Sequence, residues 1–262
     1  MTILVLIDFQ KDFCDPSSLM YVSGARGDCS RISKFININQ KKIDKIFVTL
    51  DSHHLLDVAH PLFWQDKEGN HPAYFTKITL EDFIKGVWTP TMPDLHDRMH
   101  QYLYNLKANG KYELTIWPPH CLIGSSGQTI EIQVDDALYN WQVNTKRNII
   151  AINKGMNIYT ENYSAIQADV IDKDDPTTDI NMEFIKELLR ADSVIFAGEA
   201  SSHCVKFTVE DVMKWFTKKT TSKLSLLTDA MSPVKGYDKE SFEFFNSSAK
   251  AGVNLITTET IL

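Results

Sequence analysis

The 262-residue chain is 43% hydrophobic and 23% charged, enough to bury a substantial core and in keeping with one α/β domain. Its net charge of -7 and sequence pI near 5.6 exclude a clustered basic surface for nucleic acid. No apolar run approaches the ~18–20 residues of a membrane span, and the apolar start over residues 1–7 is too short for a secretory leader.

The strand-helix rhythm starts with TILVLID, which ends at Asp8 and is followed by QKDFC. A helix is predicted over 27–42, then KIFVTLD, a second strand ending at Asp51. Residues 61–112 break the rhythm with Pro, Gly and aromatic residues, and predict an ordered excursion that includes a helix over 95–107. WPPHC follows at 117–121. RNIIAIN predicts a third strand closed by Lys154-Gly155, and a helix is expected over 181–191. SVIFAG runs into the turn GEASSHC and a helix over 203–217. KLSLLTD, a helix over 238–251 and a short strand near 253–257 complete the series. The five longer strands are apolar on both faces and none alternates strictly, which predicts buried parallel strands. The fold class expected is α/β, a parallel sheet with helices on both faces.

In such a sheet ligands bind outside the carboxyl ends of the strands. Asp8, Asp51, Lys154 and GEASSHC stand at four of those ends. Cys204 falls in the first turn of its helix, where the helix dipole and unpaired N–H groups favour thiolate, with Ser201 and Ser202 as N-cap candidates. Lys154 beside it would support the anion, and Asp8 would accept the thiol proton. Each residue alone has a bland reading as core, cap or surface; the combination points to a nucleophile, a base and a cation. His203, next in sequence to Cys204, points about 100° away on a helix and reads as structural or as a support behind the site. The four cysteines, Cys14, Cys29, Cys121 and Cys204, are far apart and read as reduced thiols of a cytoplasmic protein.

Asp51 and His53 leave one strand end on alternate positions, followed by His60, and His120 lies in WPPHC. One carboxylate with two or three imidazoles suits zinc, iron or manganese. His54 and His71 are weaker candidates.

These residues resemble the isochorismatase-like cysteine hydrolases, and within them the nicotinamidases, over most of the chain except 61–112. DFQKDFC is similar to the start of that family, with Asp8 at the catalytic acid/base position. Lys154 in NKG resembles its lysine and Cys204 its nucleophile. Asp51, His53 and His120 match the metal ligands, and His60 is similar to a further histidine seen in some members. The resemblance implies a single domain, 1–262, with a six-stranded parallel sheet and an insertion at about 61–112. It also implies an oxyanion hole from the Ala200 and Cys204 N–H groups with a cis peptide before Ala200. Phe13, Trp117 and Tyr163 would hold a pyridine ring. The implied activity is hydrolysis of nicotinamide, a small-molecule amide, in pyridine nucleotide recycling; self-association is expected by the same resemblance. Glu199 departs from the family, which usually carries an apolar residue there. The alternatives are a hydrolase of another amide, such as a ureido or carbamoyl compound, and a non-catalytic α/β binding protein. A dinucleotide-binding enzyme is disfavoured because DFQKDF carries no Gly-rich phosphate turn.

Overall fold

The computed structural model describes residues 1–260. In chain order, strand β1 (Thr2–Ile7) leads through the short helix α1 (Lys11–Cys14) to α2 (Ala25–Asn39) and β2 (Lys45–Asp51). Next come β3 (Trp64–Gln65), β4 (Lys77–Ile78), α3 (Leu80–Ile84), β5 (Thr89–Pro90), α4 (His96–Ala108) and β6 (Leu114–Thr115). The remainder is α5 (Ile132–Thr145), β7 (Ile150–Lys154), α6 (Met182–Arg190), β8 (Ser193–Gly198), α7 (Cys204–Met213), β9 (Leu224–Leu227), α8 (Asp238–Lys250) and β10 (Asn254–Ile256).

Six strands form one parallel sheet in the order β10-β9-β8-β1-β2-β7. Ile3 to Ile7 of β1 are fully buried, as a central strand covered on both faces requires. The chain leaves β1 toward β2 on one side and later fills β8, β9 and β10 on the other. The reversal lies between β1 and β8, and open α/β sheets place their ligand crevice at such a switch point. Ile7 is level with Thr49 and Gly198, and Asp51 is level with Lys154. Four strand ends therefore converge on one rim.

The predicted helices form within a few residues of their expected bounds. The helix expected over 203–217 stops at Met213. β7 departs from the reading of its sequence as a buried strand: it is the sheet's outer strand, and Ile150, Ala151 and Asn153 are exposed. Helix α5, absent from the sequence reading, buries Val134, Ala137, Leu138 and Trp141, a spacing of three, one and three that marks one helical face. It packs on α2.

Residues 61–112 carry the antiparallel pair β3–β5 and supply β4, which pairs with β6. Phe63, Trp64, Phe83, Met99 and Leu103 build a second apolar cluster joined by Val58, Ile116 and Val170 from outside the segment. Phe75 of this segment, with φ 68, is 56% exposed and sets its ring edge-on to Trp117 at 5.9 Å.

Candidate active site

The strand ends bring Asp8, Lys154 and Cys204 together. Lys154 Nζ lies 2.9 Å from Asp8 Oδ2, 3.1 Å from Asp51 Oδ1, 3.5 Å from Cys204 Sγ and 3.1 Å from the Asn162 carbonyl. All of these side chains are buried. Asp8 Oδ1 accepts the Thr49 hydroxyl at 2.5 Å.

Electrostatics refine the expectation of a resting thiolate. Burial pushes the Cys204 thiol well up; Lys154 opposes this, while Asp8 and Asp51 add to it. Lys154 is shared with two carboxylates, so its charge is largely spent on them. The same burial raises Asp8, opposed by Lys154 and reinforced by Asp51, which makes Asp8 a stronger base. Burial disfavours the Lys154 charge, but Asp51 and Asp8 outweigh it and hold the ammonium charged. The arrangement is a neutral thiol against a carboxylate, with a cation within 3.5 Å of the sulfur.

Helix α7 begins at Cys204, yet neither serine caps it. Ser201 Oγ pairs with Ser241 Oγ at 2.7 Å, and Ser202 Oγ accepts the Val234 N–H and meets His203 Nδ1 at 2.8 Å. Both serines thus tie the turn to the 230s and α8. The Glu199–Ala200 peptide is cis. Among the described residues, the Ala200 and Cys204 N–H groups have no protein acceptor, Cys204 because a first-turn N–H has no intrahelical partner. Gly198, with φ 145, lets β8 pass β1 closely: a Cβ there would stand 2.1 Å from the Ile7 carbonyl oxygen.

A second group adjoins the first. Asp51 Oδ2 lies 3.2 Å from His53 Nε2 and 3.6 Å from His120 Nε2, and one ligand atom from each residue falls within 4.8 Å of the others. Asp57 Oδ2 holds His53 Nδ1 at 3.1 Å, and the Pro118 carbonyl accepts from His120 Nδ1 at 2.8 Å. Each ring is thereby oriented with Nε2 toward Asp51, the second-sphere support usual for imidazole ligands. Burial opposes charge on His53, but Asp51 and Asp57 outweigh it and raise its pKa well above the ordinary value. The donor set and spacing fit a divalent cation. His60 lies outside this group. Its Nδ1 meets the His54 carbonyl and its Nε2 faces His120 Nδ1 at 3.3 Å, behind the ring. Burial, with His120 and His53, lowers its pKa to about 3. His54 offers its carbonyl rather than its ring, and His71 bonds the Trp64 carbonyl.

Both groups border one cavity, which Cys204 lines from the first and Asp51 and His120 line from the second. Phe13, Trp117 and Tyr163 line it, and Trp117 Nε1 donates to the Tyr163 hydroxyl at 3.1 Å. Asp57 and Glu161 escaped the sequence reading. Glu161 lines the cavity and burial raises its pKa to about 7, with His53 opposing and Asp51 and Asp57 adding. Asp57 had a legible signal, standing four residues after His53; Glu161 had none. His203 also lines the cavity.

No family model matches the chain. It is 23% identical over 258 residues to the nicotinamidase of Escherichia coli K12, spanning 97% of this chain and 93% of that one. Among solved structures it is similar to the yeast nicotinamidase bound to nicotinaldehyde, with TM-score 0.68 and 20% identity over 98% of this chain and 100% of that one. It is also similar to the zinc-bound pyrazinamidase of Pyrococcus horikoshii, with TM-score 0.59 and 16% identity over 98% of both chains. The chain has the isochorismatase-like hydrolase fold. In that fold the six-stranded sheet supplies the rim, and the turn between β8 and α7 carries Cys204 into the cavity.

Proposed function

We propose that the protein is a metal-containing cysteine amidohydrolase that converts nicotinamide and water to nicotinate and ammonia through a Cys204 thioester. One observation carries the reading: Lys154 joins Asp8 and Cys204 within touching distance, and Cys204 lines a cavity with Asp51 and His120 of the Asp51–His53–His120 group. The similarity to nicotinamidases at 20–23% identity supports the substrate.

Asp8 accepts the thiol proton, and the sulfur attacks the carboxamide carbon. The oxyanion is received by the Ala200 and Cys204 N–H groups, which have no other acceptor among the described residues; removing one such donor typically costs about a hundredfold or more in rate. Lys154 stabilises the negative charge as it moves between sulfur and carboxylate. The C–N bond breaks as Asp8 returns its proton to the leaving nitrogen, which departs as ammonia. Asp8 then takes a proton from water as the water oxygen attacks the thioester, releasing the acid and restoring the thiol. Phe13 and Trp117 clasp the ring, and Tyr163 fixes the Trp117 indole. Asp51, His53 and His120 would hold a divalent cation, zinc, iron or manganese, which supplies a Lewis-acid anchor for a ring nitrogen. His60 and Asp57 orient the imidazoles from behind.

An ammonia-release assay over a panel of amides tests this. Nicotinamide is expected to outrun aliphatic amides and ureido or carbamoyl compounds, with Cys204→Ala inactive. A faster aliphatic or carbamoyl substrate would transfer the reading to another hydrolase of this fold, and full turnover by Cys204→Ala would end it.

A further inference from the structure

Glu199 is a cavity residue that the amidase chemistry leaves without a task. It is 1% exposed, immediately precedes Ala200 and lines the cavity. Its Oε2 accepts the Ser232 N–H at 3.3 Å, whereas its Oε1 has no donor among the described residues. Ser232 links it to another buried carboxyl, Asp28 of α2, which is 2% exposed. Asp28 is well supplied: one oxygen takes the Arg31 guanidinium and the other takes the Ser232 hydroxyl at 2.5 Å. Two carboxylates cannot bond without a proton between them, and an uncompensated buried charge is strongly unfavourable. Because Arg31 sits on Asp28, the charge belongs there and the hydrogen belongs to Glu199.

We propose that Glu199 is a neutral carboxylic acid whose hydroxyl donates to Asp28, and that this bond positions the Ala200 N–H by tying the turn after β8 to α2. The inference rests on the amidase reading of the site, in which that N–H receives the oxyanion. Ser232 completes the tie. Its N–H goes to Glu199, its hydroxyl to Asp28, and its carbonyl accepts the Ser201 N–H at 2.9 Å. Gly24 permits the approach: it has φ 109, and a Cβ there would stand 2.4 Å from Ser232 Oγ. Helix α2, the segment at 230–232 and the turn at 198–202 thus close on one another around a single shared hydrogen. Burial, with the Asp28 and Cys29 groups adding and the Ser232 N–H opposing, holds Glu199 well above the ordinary carboxylate range. An apolar side chain at 199 would fill the same space but leave Asp28 and the Ser232 N–H each one partner short.

Glu199→Gln and Glu199→Leu separate these roles. The glutamine reproduces the neutral acid, its NH₂ donating to Asp28 and its carbonyl accepting from Ser232, and is expected to keep kcat within about threefold. The leucine matches the bulk alone. It is expected to lower kcat about a hundredfold, the scale of a misplacement near 1 Å, with KM changed by less than about threefold. Infrared difference spectroscopy of wild type against Glu199→Gln at neutral pH should show a protonated-carboxyl band that the variant lacks. A glutamine variant as slow as leucine, a leucine variant as fast as wild type, or the absence of that band would overturn the proposal. The band is read without turnover, so a wild type that hydrolyses no amide would defeat the amidase reading and leave the proton assignment standing. Should Glu199→Leu fail to fold, the glutamine kinetics and the band decide.

Discussion

Asp51 turns one oxygen to Lys154, at 3.1 Å, and the other to His53, at 3.2 Å. A single carboxylate thus belongs to both the thiol group and the imidazole group, and the two are electrostatically one site. Asp51 remains ionised despite complete burial, because His53, Lys154 and His120 outweigh desolvation and hold it well below the usual carboxylate range.

Removing the shared cation exposes the cost of that design. Lys154→Met should abolish ammonia release and lower stability by about 3–5 kcal/mol, since it leaves buried Asp8 without its cationic partner and facing Asp51. Urea unfolding at neutral pH, beside the kinetic assay, measures both; unchanged stability would contradict the ion-pair reading.

Asp57 holds His53 by the nitrogen that does not face Asp51. Asp57→Asn is expected to weaken divalent-metal affinity by about 10–100-fold while leaving far-ultraviolet circular dichroism unchanged. Metal titration followed by elemental analysis gives the number. An affinity equal to wild type would show that the contact does not orient the ligand.

Gly155 follows Lys154 at φ 78, and a Cβ there would lie 2.8 Å from Asp51 Oδ1 and 3.1 Å from His53 Cε1. Gly155→Ala should therefore cost about 1–2 kcal/mol for the left-handed backbone alone, and displace both side chains besides. Loss of bound metal together with loss of turnover is the expected result. Turnover lost with metal retained would locate the damage at Lys154 instead.

His203 supplies a pH dependence of known sign. Burial, with Lys206 adding, lowers its pKa to about 3, against ~6.5 in an unfolded chain. Below ~6.5 the unfolded state binds a proton that the folded state refuses. Its contribution therefore weakens stability as pH falls from ~6.5 toward about 3, by ~1.4 kcal/mol per pH unit, and is absent above ~6.5. His203→Gln should flatten the urea-midpoint profile between about pH 6.5 and 4 by close to one proton. An equally steep profile would place the acid sensitivity elsewhere.

Much of this was legible before any coordinates. Apolar runs ending in Asp8, Asp51, Lys154 and GEASSHC announced a parallel sheet and its functional rim, because strand ends are where side chains escape the core. What stayed hidden depends on tertiary neighbours. Nothing local says that β7 lies at the sheet edge, since RNIIAIN has the composition of a central strand. The helix-start argument for a thiolate considered the dipole and the lysine but not the desolvation that full enclosure imposes on sulfur. Ser201 and Ser202 have cap chemistry, yet the 230s and α8 claim their hydroxyls. Glu161 carries no sequence signal because only the fold returns it to the cavity. The α5 face, by contrast, carries a signal in the spacing of Val134, Ala137, Leu138 and Trp141 that the sequence reading passed over.

Lys154 is mounted on the outermost strand, gripped by a neighbour on one flank alone. Sheet margins open by local fraying at less cost than their interiors, so mild heat or denaturant should silence the enzyme before the globule melts. Its operating ceiling is set by the least tethered ribbon, and amide exchange at 150–154 would disclose that limit while β1 still resists.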